Sequence, residues 1–346
     1  MKLELAIESW PFRTPFRITG HVIENADVLV VTLTEGETSG RGEAGGVFYR
    51  QEDPASMAAQ IETLRGEIEA GVDRHRLRDL MVPGGARNGL DCALWDLESQ
   101  LASKPAWRLA DLAAPSPLTT TFTIGAGTPA EMGRTAHAYQ EARSIKLKLT
   151  ADQPGACVRA VRAVRPDVWL GVDANQGFTG ETLRALLPDL IDARVSLIEQ
   201  PVAVGADAEL EGLASPIALA ADESVQGLGD IAALVGRYDV VNIKLDKCGG
   251  LTEALLMARE ARRLGLKVMV GCMGATSLAM APAFLLGQIC DFADLDAPTF
   301  LAADRDPPAL YTEGQIWCPE DLWGNPRATA AGAAASRASR DLGRAN

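Results

Sequence analysis

The 346 residues, 47% of them apolar, can build two domains or one elaborated barrel with a large core, which excludes disorder for most of the chain. The formal net charge of −13 and the pI near 4.8 argue against nucleic acid or an anionic membrane surface as a partner, because both bind basic faces. The six cysteines form no short-spaced pairs and no export signal is visible, so we expect reduced thiols and a cytoplasmic protein.

The N-terminal third predicts a small α+β domain over residues 1–115. Residues 28–34 are rich in β-branched side chains and lead through a glycine-containing turn into residues 41–43, which is typical of an antiparallel hairpin. From residue 53 to about residue 112, apolar side chains recur at helical spacing, with a break at residues 83–85. A hairpin followed by helices indicates an α+β domain.

After Pro115 and Pro117 the pattern changes to strands that alternate with helices. Eight strands joined by crossovers predict a closed parallel barrel over residues 116–302. The predicted strands are residues 119–124, 144–149, 168–173, 195–199, 217–222, 240–245, 267–271 and 292–295. An open, doubly wound sheet is the alternative, but its GxGxxG fingerprint after the first strand is missing.

Two further stretches, residues 268–290 and 325–346, are interpreted as part of the barrel and as a tail. Residues 268–290 carry no charge, but several glycines and Pro282 interrupt them, so a strand, loop and helix of the barrel explain them better than a membrane span. Residues 325–346 have no apolar periodicity beyond alanine and predict a low-complexity tail.

Five charged residues recur at the ends of predicted strands, 25, 26, 23 and 22 positions apart: Lys148, Asp173, Glu199, Asp222 and Lys244. Because the C-terminal ends of barrel strands converge on one mouth, three carboxylates flanked by two lysines should meet there. Carboxylates drawn together repel each other unless a cation neutralises them, and oxygen ligands favour Mg²⁺ or a similar ion. The sequence therefore predicts a metal site between two bases. Three unrelated acidic loop residues are the alternative.

Lys146 and Lys148 lie two positions apart on one predicted strand, so both side chains should point into the barrel. Two ammonium groups this close should lower each other's pKa, which makes a lysine a usable base near neutral pH, and Lys146 is interpreted as tuning Lys148. Lys244 lies four strands further round an eight-stranded ring, on the opposite side of the mouth. Two bases on opposite sides of one carbon are what proton transfer at a stereocentre requires. The alternatives are an exposed edge-strand pair and a surface lysine at a strand end.

Other residue types narrow the chemistry. All three histidines precede the first lysine pair, so lysine must supply the base. No GxSxG elbow and no GxxxxGK[ST] loop occurs, which weakens serine hydrolase and nucleotide-binding interpretations. Asp294 and Asp296 close the eighth strand on one face and could hold a substrate ammonium group, the alternative being a helix cap or a solvated loop.

Several motifs resemble, in their order along the chain, those of the enolase superfamily, and specifically the dipeptide epimerases of its muconate lactonising enzyme subgroup. They are Lys-x-Lys at 146–148, Val-Asp-Ala-Asn at 172–175, Glu-Gln-Pro at 199–201, Ala-Asp-Glu-Ser at 221–224, Asn-Ile-Lys-Leu-Asp-Lys-Cys-Gly-Gly-Leu-Thr-Glu at 242–253, Gly-Cys-Met at 271–273 and Asp-Leu-Asp-Ala-Pro at 294–298. The resemblance covers roughly residues 5–320. It implies an α/β fold in which a (β/α)7β modified TIM barrel carries an N-terminal α+β capping domain, to which residues 303–324 return.

The resemblance also implies a mechanism of the known enolase type. Mg²⁺ on Asp173, Glu199 and Asp222 would bind the substrate carboxylate and hold the enediolate formed when the α-proton leaves. Lys148 and Lys244 would act on opposite faces of that carbon. The remaining implied contacts are the dipeptide ammonium group with Asp294 and Asp296, and positions near the substrate for Thr123, Lys146, Arg17, His21 and Met273.

Departures from the family pattern concern the second residue of the dipeptide. Relatives that prefer glutamate place an arginine in the loop after the first strand, where this chain offers Arg17 and His21. The loop at residues 42–50 is rich in glycine and apolar side chains, and residues 274–277 carry no charge, so a smaller or more apolar second residue is compatible with the sequence.

The function expected from these features and from the resemblance is a Mg²⁺-dependent dipeptide epimerase of the L-Ala-D/L-Glu type. It would invert the α-carbon of the C-terminal residue by two-lysine 1,1-proton transfer through an enediolate. On the same barrel, the alternatives are cycloisomerisation, o-succinylbenzoate synthesis and N-succinyl amino acid racemisation. A metal-free Schiff-base aldolase that uses one of the lysines and a non-enzymatic binding protein are more distant alternatives. The expected partner is a small dipeptide, and a homo-oligomer is left open.

Overall fold

The computed structural model describes residues 1–18 and 21–326, without the side chains of Ile18 and His21. The N-terminal sheet has the antiparallel order β1-β2-β3, with β1 at Lys2–Ile18, β2 at His21–Glu35 and β3 at Thr38–Ala44. The predicted hairpin is therefore confirmed as β2–β3. The sequence pattern does not predict β1, whose pairing with β2 shifts register between Pro11 and Phe16. Proline cannot donate to a ladder, so prolines suit this edge strand.

Helices follow the sheet, as the periodicity predicts. They are α1 (Pro54–Glu62), α2 (Arg65–Glu69), α3 (Arg74–Leu80), α4 (Gly85–Leu101) and α5 (Ala106–Leu109). Almost every residue of α4 is buried. A Cβ atom on Gly40 would lie 2.1 Å from the backbone nitrogen of Leu97, and one on Gly42 would lie 2.1 Å from the carbonyl oxygen of Gly89. Glycine at these two positions lets β3 lie directly on α4.

The barrel is built from eight parallel strands. After the short β4 (Leu118–Thr119), these are β5 (Thr121–Ile124), β6 (Ser144–Lys148), β7 (Trp169–Asp173), β8 (Leu197–Glu199), β9 (Ala218–Ala221), β10 (Val240–Lys244), β11 (Lys267–Gly271) and β12 (Phe292–Ala293). The helices of this half are α6 (Pro129–Ala138), α7 (Pro154–Val164), α8 (Gly180–Asp192), α9 (Ile231–Leu234), α10 (Leu245–Cys248), α11 (Leu251–Arg263) and α12 (Ser277–Gly287). The predicted fold class is confirmed.

Side chains close the barrel where the backbone ladder ends. The sheet runs in the order β12 to β5, so these two strands are its ends. Leu295 N–H donates to Thr120 Oγ1 at 2.9 Å, and Thr123 N–H donates to Asp296 Oδ2 at 2.6 Å across the gap. The N-terminal end of the barrel is filled by a cluster of inward apolar side chains: Trp169, Leu197, Ala218, Ala220, Val240, Met269 and Phe292. The barrel is therefore closed below and open at the C-terminal strand ends.

The C-terminal segment contacts both halves of the molecule. β13 (Leu310–Thr312) and β14 (Gln315–Trp317) pair antiparallel, and β14 also pairs with β4. Further on, the Trp323 indole donates to the carbonyl groups of Arg41 and Cys92, and Gly324 N–H donates to Asp96. Most of the predicted tail, residues 327–346, lies outside the described residues.

The uncharged stretch at residues 268–290 forms β11, a loop and α12. α12 has 11 residues, all of them buried in the protein. Over the described part of the chain, no helix has both the length and the apolar content that a membrane crossing requires.

An ion-pair cluster fastens the N-terminal sheet to the barrel. Arg305 Nη2 lies 2.6 Å from Glu43 Oε2 and 2.7 Å from Glu8 Oε2, and its guanidinium carbon lies 4.8 Å from the centre of the Trp10 ring. The fully buried Glu43 also accepts from Thr276 N–H at 2.7 Å, at the start of α12. Glu43 thus joins β3 to the helix that follows the β11 loop.

Arg305→Met should destabilise the protein by about 3–5 kcal/mol, because it leaves Glu43 buried without its cation. The measurement is the urea unfolding midpoint of the two proteins. The matched control is Arg263→Met, which breaks an ion pair on the exposed face of α11 and should leave the midpoint unchanged. Equal midpoints for Arg305→Met and the control would contradict the prediction.

Candidate active site

The C-terminal ends of five neighbouring barrel strands bring the regularly spaced charges together. In the sheet register, Lys148 of β6 lies opposite Asp173 of β7, and Asp173 lies opposite Glu199 of β8. Asp222 directly follows β9, and Lys244 is the last residue of β10. Residues that are one βα unit apart in the sequence therefore lie next to each other at the C-terminal end of the barrel.

Asp173, Glu199 and Asp222 form a row of three carboxylates across adjacent strand ends, called the carboxylate row below. Lysines contact its two outer members, Asp173 and Asp222. Lys148 Nζ lies 2.6 Å from Asp173 Oδ2, and Lys244 Nζ lies 2.7 Å from Asp222 Oδ2. The fully buried Lys247 donates to Asp222 Oδ1 at 2.5 Å. Burial raises the pKa of Asp222, but the ammonium groups of Lys244 and Lys247 outweigh it and hold this pKa below its usual range. Asp222 is therefore an ionised carboxylate between two cations.

Lys146 lies at the centre of the site. Its ammonium group contacts Asp294, and lies 3.2 Å from Glu199 Oε2 and 3.8 Å from Asp173 Oδ2. Burial lowers the pKa of Lys146, but these three carboxylates outweigh it and raise this pKa well above its ordinary value. The prediction that Lys146 and Lys148 lower each other's pKa is thus wrong for Lys146, because carboxylates from other strands surround it.

The centre of the row combines buried negative charge with oxygen atoms that lack partners. Burial and the charge of Asp173 raise the pKa of Glu199 to about 7. In the described chain, the buried side-chain atoms without a hydrogen-bond partner include Asn175 Oδ1, Glu223 Oε2 and Asn242 Oδ1. Oxygen donors around excess negative charge fit a hard divalent cation. As the described side chains stand, no three acidic, histidine or cysteine groups are disposed to coordinate one ion, and lysine ammonium groups contact the carboxylate oxygens instead.

Asp294 and Asp296 lie at the seam between the eighth and first strands. The Thr121 hydroxyl group and Lys146 both contact Asp294, while Thr123 N–H donates to Asp296. Burial and the charge of Asp294 raise the pKa of Asp296 to about 7. Asp294 is thus paired with a cation of the protein, whereas Asp296 forms no ion pair among the described residues.

A cavity of about 400 Å³ opens above the lysines, between the barrel and the N-terminal domain. Lys148, Lys244 and Met273 belong to its barrel side. Its other side comes from β1, β2 and the loop after β3. The cavity is large enough for a small organic molecule held between the two lysines.

Two predicted substrate contacts lie elsewhere. Arg17 and Thr123 line a neighbouring cavity of about 380 Å³ together with Tyr139, whose hydroxyl group donates to the Thr123 carbonyl at 3.3 Å. Phe16 lines both cavities, so the cavity with Arg17 adjoins the one with the lysines. The side chain of His21, also predicted near the substrate, is outside the described part of the chain.

Family models match both halves of the molecule. "Enolase C-terminal domain-like" matches residues 131–321, and "Mandelate racemase / muconate lactonizing enzyme, N-terminal domain" matches residues 1–110. The chain belongs to the enolase superfamily. The predicted family is confirmed.

Curated relatives of this enolase-superfamily protein align over most of their length. The L-Ala-D/L-Glu epimerase of Escherichia coli (strain K12) is 40% identical over 311 residues, covering 89% of this chain and 97% of that protein. The N-acetyl-D-glutamate racemase of a Pseudoalteromonas species is 34% identical, covering 86% of this chain and 95% of that protein. Such relatives are isomerases, and this protein is an isomerase.

Solved structures show the same architecture. An enolase family member from Agrobacterium tumefaciens with homology to dipeptide epimerases, bound to sodium and L-Ala-L-Glu, has a TM-score of 0.91 and 40% identity, covering 93% of this chain and 99% of that chain. The dipeptide epimerase of Enterococcus faecalis V583, complexed with Mg and L-Leu-L-Tyr, has a TM-score of 0.83 and 27% identity, covering 92% and 96%.

Sequence reasoning missed three residues of this enolase-superfamily site. Lys247 follows Lys244 by three positions in the one-turn helix α10, so helical spacing could have placed it beside the site. Asn242 precedes Lys244 by two positions on one strand and donates to Glu199 Oε1 at 2.7 Å, so strand alternation could have found it. Tyr49, from the N-terminal domain, has no periodic signal and is identified by the cavity alone.

Proposed function

We propose that this protein is a dipeptide epimerase that inverts the α-carbon of the C-terminal residue by proton transfer between two lysines. The observation that carries the proposal is the placement of Lys148 and Lys244 on strands four apart, both lining one cavity and each paired with a carboxylate at the barrel mouth. The strong identity with epimerases and racemases supports the same chemistry.

The two lysines perform the inversion. The neutral amine of one lysine takes the α-proton from its face of the carbon, and the ammonium group of the other gives a proton to the opposite face. The reverse reaction exchanges the two roles. Burial lowers the pKa of Lys244, but the negative charges of Asp222 and Glu199 outweigh burial and raise this pKa. Neutralising these carboxylates would lower the pKa of Lys244 and make its free amine more available.

Asp173, Glu199 and Asp222 are the residues that we propose to hold Mg²⁺. All three are buried oxygen ligands at adjacent strand ends, with unpartnered oxygens of Asn175 and Glu223 beside them. Mg²⁺ bound there supplies positive charge next to the substrate carboxylate, where negative charge develops as the α-proton leaves. Lys247 and Asn242 hold Asp222 and Glu199 in place by hydrogen bonds.

Asp296 is the residue that we propose as the main anchor of the dipeptide ammonium group. It is buried at the barrel seam, its pKa is raised by burial and by Asp294, and an ammonium group would relieve that unfavourable charge. Lys146 already neutralises Asp294. The role of Lys146 is therefore to fix the positions of the Asp294 and Glu199 carboxylates, both of which its ammonium group contacts. Thr123 orients Asp296 through its backbone N–H.

Racemisation of an N-acyl amino acid is the second candidate. Such a substrate has no ammonium group, and the pairing of Asp294 with Lys146 leaves less negative charge at the seam than two free aspartates would. The N-acetyl-D-glutamate racemase relative performs a reaction of this class by its name. The two candidates share the lysines and differ only in the need for Asp296.

With enzyme and Mg²⁺ in D₂O, L,L-dipeptides should exchange the α-proton of the C-terminal residue and form the L,D epimer, and EDTA should stop both. Proton NMR follows the loss of the α-signal, and N-succinyl and N-acetyl amino acids in parallel test the second candidate. Exchange of the acylated amino acids alone would replace the epimerase by the racemase, and exchange that persists in EDTA would contradict the metal dependence.

We also propose a cytoplasmic location. The six cysteines all lie in described residues and none forms a disulfide. Burial raises the pKa of the Cys92 and Cys248 thiols, so these are unreactive core groups. Unpaired thiols throughout a chain of this size are typical of a reducing compartment.

A further inference from the structure

The orientation of the substrate follows from the four groups on its reacting carbon, and it rests on the proposed function. The hydrogen must face Lys148 or Lys244. The carboxylate must face the carboxylate row that holds the cation, and the amide must lead toward Asp296. The remaining substituent, the side chain of the C-terminal residue, is left to point out of the barrel into the cavity beneath the N-terminal domain.

The N-terminal domain offers mainly apolar side chains to that cavity. Phe16, Val22, Ile23 and Phe48 line it, and Met273 lines it from the barrel. Val22 and Phe48 are 51% and 45% exposed, and with Phe16, Ile23 and Met273 they give the cavity a contiguous apolar lining. A bound apolar side chain would remove this surface from water, which is the favourable term in such a contact.

The charges around the cavity disfavour a glutamate side chain. Of the described side chains that line it, the basic ones are Lys148 and Lys244, which already pair with Asp173 and Asp222. Arg50, which follows the lining residue Tyr49, does not line the cavity and donates to the carbonyl groups of Pro83 and Lys247. A second carboxylate in the substrate would therefore enter without a cation to pair with.

Acidic groups at the cavity strengthen this exclusion. Glu223 keeps one buried oxygen without a hydrogen-bond partner, and Asp27, Glu52 and Asp53 also line the cavity. Glu52 is already used by the N–H groups of Val47 and Gly85 at 3.1 and 3.2 Å, and Asp53 by the N–H group at the start of α1. All four carboxylates repel an acidic side chain, and Glu52 and Asp53 are already hydrogen-bonded to backbone N–H groups.

We infer that this protein acts on dipeptides whose C-terminal residue is uncharged and apolar, of the size of leucine, methionine or phenylalanine. Selectivity is set by Val22, Ile23, Phe48 and Met273. Arg17 lines the neighbouring cavity together with Thr123, whose N–H group donates to Asp296. This is the side on which the N-terminal residue of the dipeptide would lie, so we assign Arg17 to that residue and not to the C-terminal side chain.

The test compares kcat/KM for L-Ala-L-Leu, L-Ala-L-Phe, L-Ala-L-Glu and L-Ala-L-Lys with the Mg²⁺-loaded enzyme. The apolar dipeptides should exceed both charged ones by at least about tenfold. A glutamate or lysine dipeptide that equals or exceeds the apolar ones would overturn the inference while leaving the epimerase intact. No reaction with any dipeptide would overturn the proposed function, and the inference with it.

A second test introduces a positive charge into the cavity and measures the change in substrate preference, so it does not depend on which dipeptide the wild type prefers. Val22→Lys, at a half-exposed position, should raise the ratio of glutamate to leucine turnover by about tenfold or more, whereas the matched Val22→Leu should keep the apolar preference. An unchanged ratio in Val22→Lys would show that the side chain does not enter this cavity. A glutamate preference of the wild type that disappears in His21→Ala would overturn the inference and identify the protonated His21 side chain as the cation that binds glutamate.

Discussion

Lys148→Gln and Lys244→Gln should each lower the rate of epimerisation by at least about 1,000-fold, and each should still exchange the α-proton of one epimer. With one base missing, the remaining lysine can remove and return a proton only on its own face, so deuterium enters without inversion. The two variants should therefore act on opposite epimers. Glutamine retains a donor for Asp173 or Asp222, so the buried carboxylates keep a hydrogen-bond partner.

The measurement is deuterium incorporation into the L,L and the L,D dipeptide, each followed separately by NMR in D₂O. Lys267→Ala is the matched control, because Lys267 is an exposed lysine at the start of β11, at the opposite end of the barrel, and should keep wild-type rates. Loss of exchange with both epimers in both variants would contradict a two-base mechanism. Exchange of the same epimer in both variants would show that the lysines act on one face.

The parts of the site that could be predicted are those that depend on one strand at a time. Alternation along β6 places Lys146 and Lys148 inside the barrel, and the spacing between strand ends places Asp173 near Glu199. These features require only the geometry of a strand and the convergence of barrel strands. The sequence also predicts the β2–β3 hairpin, whose β-branched run and glycine turn are local signals.

The parts that could not be predicted depend on contacts between distant segments. The pKa of Lys146 is raised because Asp294, 148 positions away, closes the barrel beside it. β1 carries prolines and charges that weaken its strand pattern, and it is stabilised by pairing with β2. The cluster of Arg305 and Glu43 joins residues 262 positions apart. Such contacts are decided by tertiary packing, which single-sequence periodicity does not report.

The carboxylate row gives a reason to expect that binding of a divalent cation stabilises the folded state of this protein. Glu199 occupies the middle strand end, between Asp173 and Asp222, and is fully buried. The ammonium group of Lys146 contacts Glu199, and burial together with the charge of Asp173 raises the pKa of Glu199. A cation that binds the folded state and not the unfolded chain must stabilise the fold, by about 2.7 kcal/mol at a concentration 100 times its Kd.

Glu199→Gln should therefore lose both the Mg²⁺-dependent rise in Tm and at least about 100-fold in Mg²⁺ affinity, since even residues that only orient metal ligands cost 10–100-fold. Thermal unfolding and isothermal calorimetry measure both without the need for substrate, and epimerisation should fall together with binding. Glu313→Gln is the control, because Glu313 is an exposed carboxylate far from the mouth and its loss should change neither quantity. If Glu199→Gln bound Mg²⁺ as tightly as the wild type while losing activity, Glu199 would act on the substrate or on Lys146 instead, and the cation would have to be held by Asp173 and Asp222 without it.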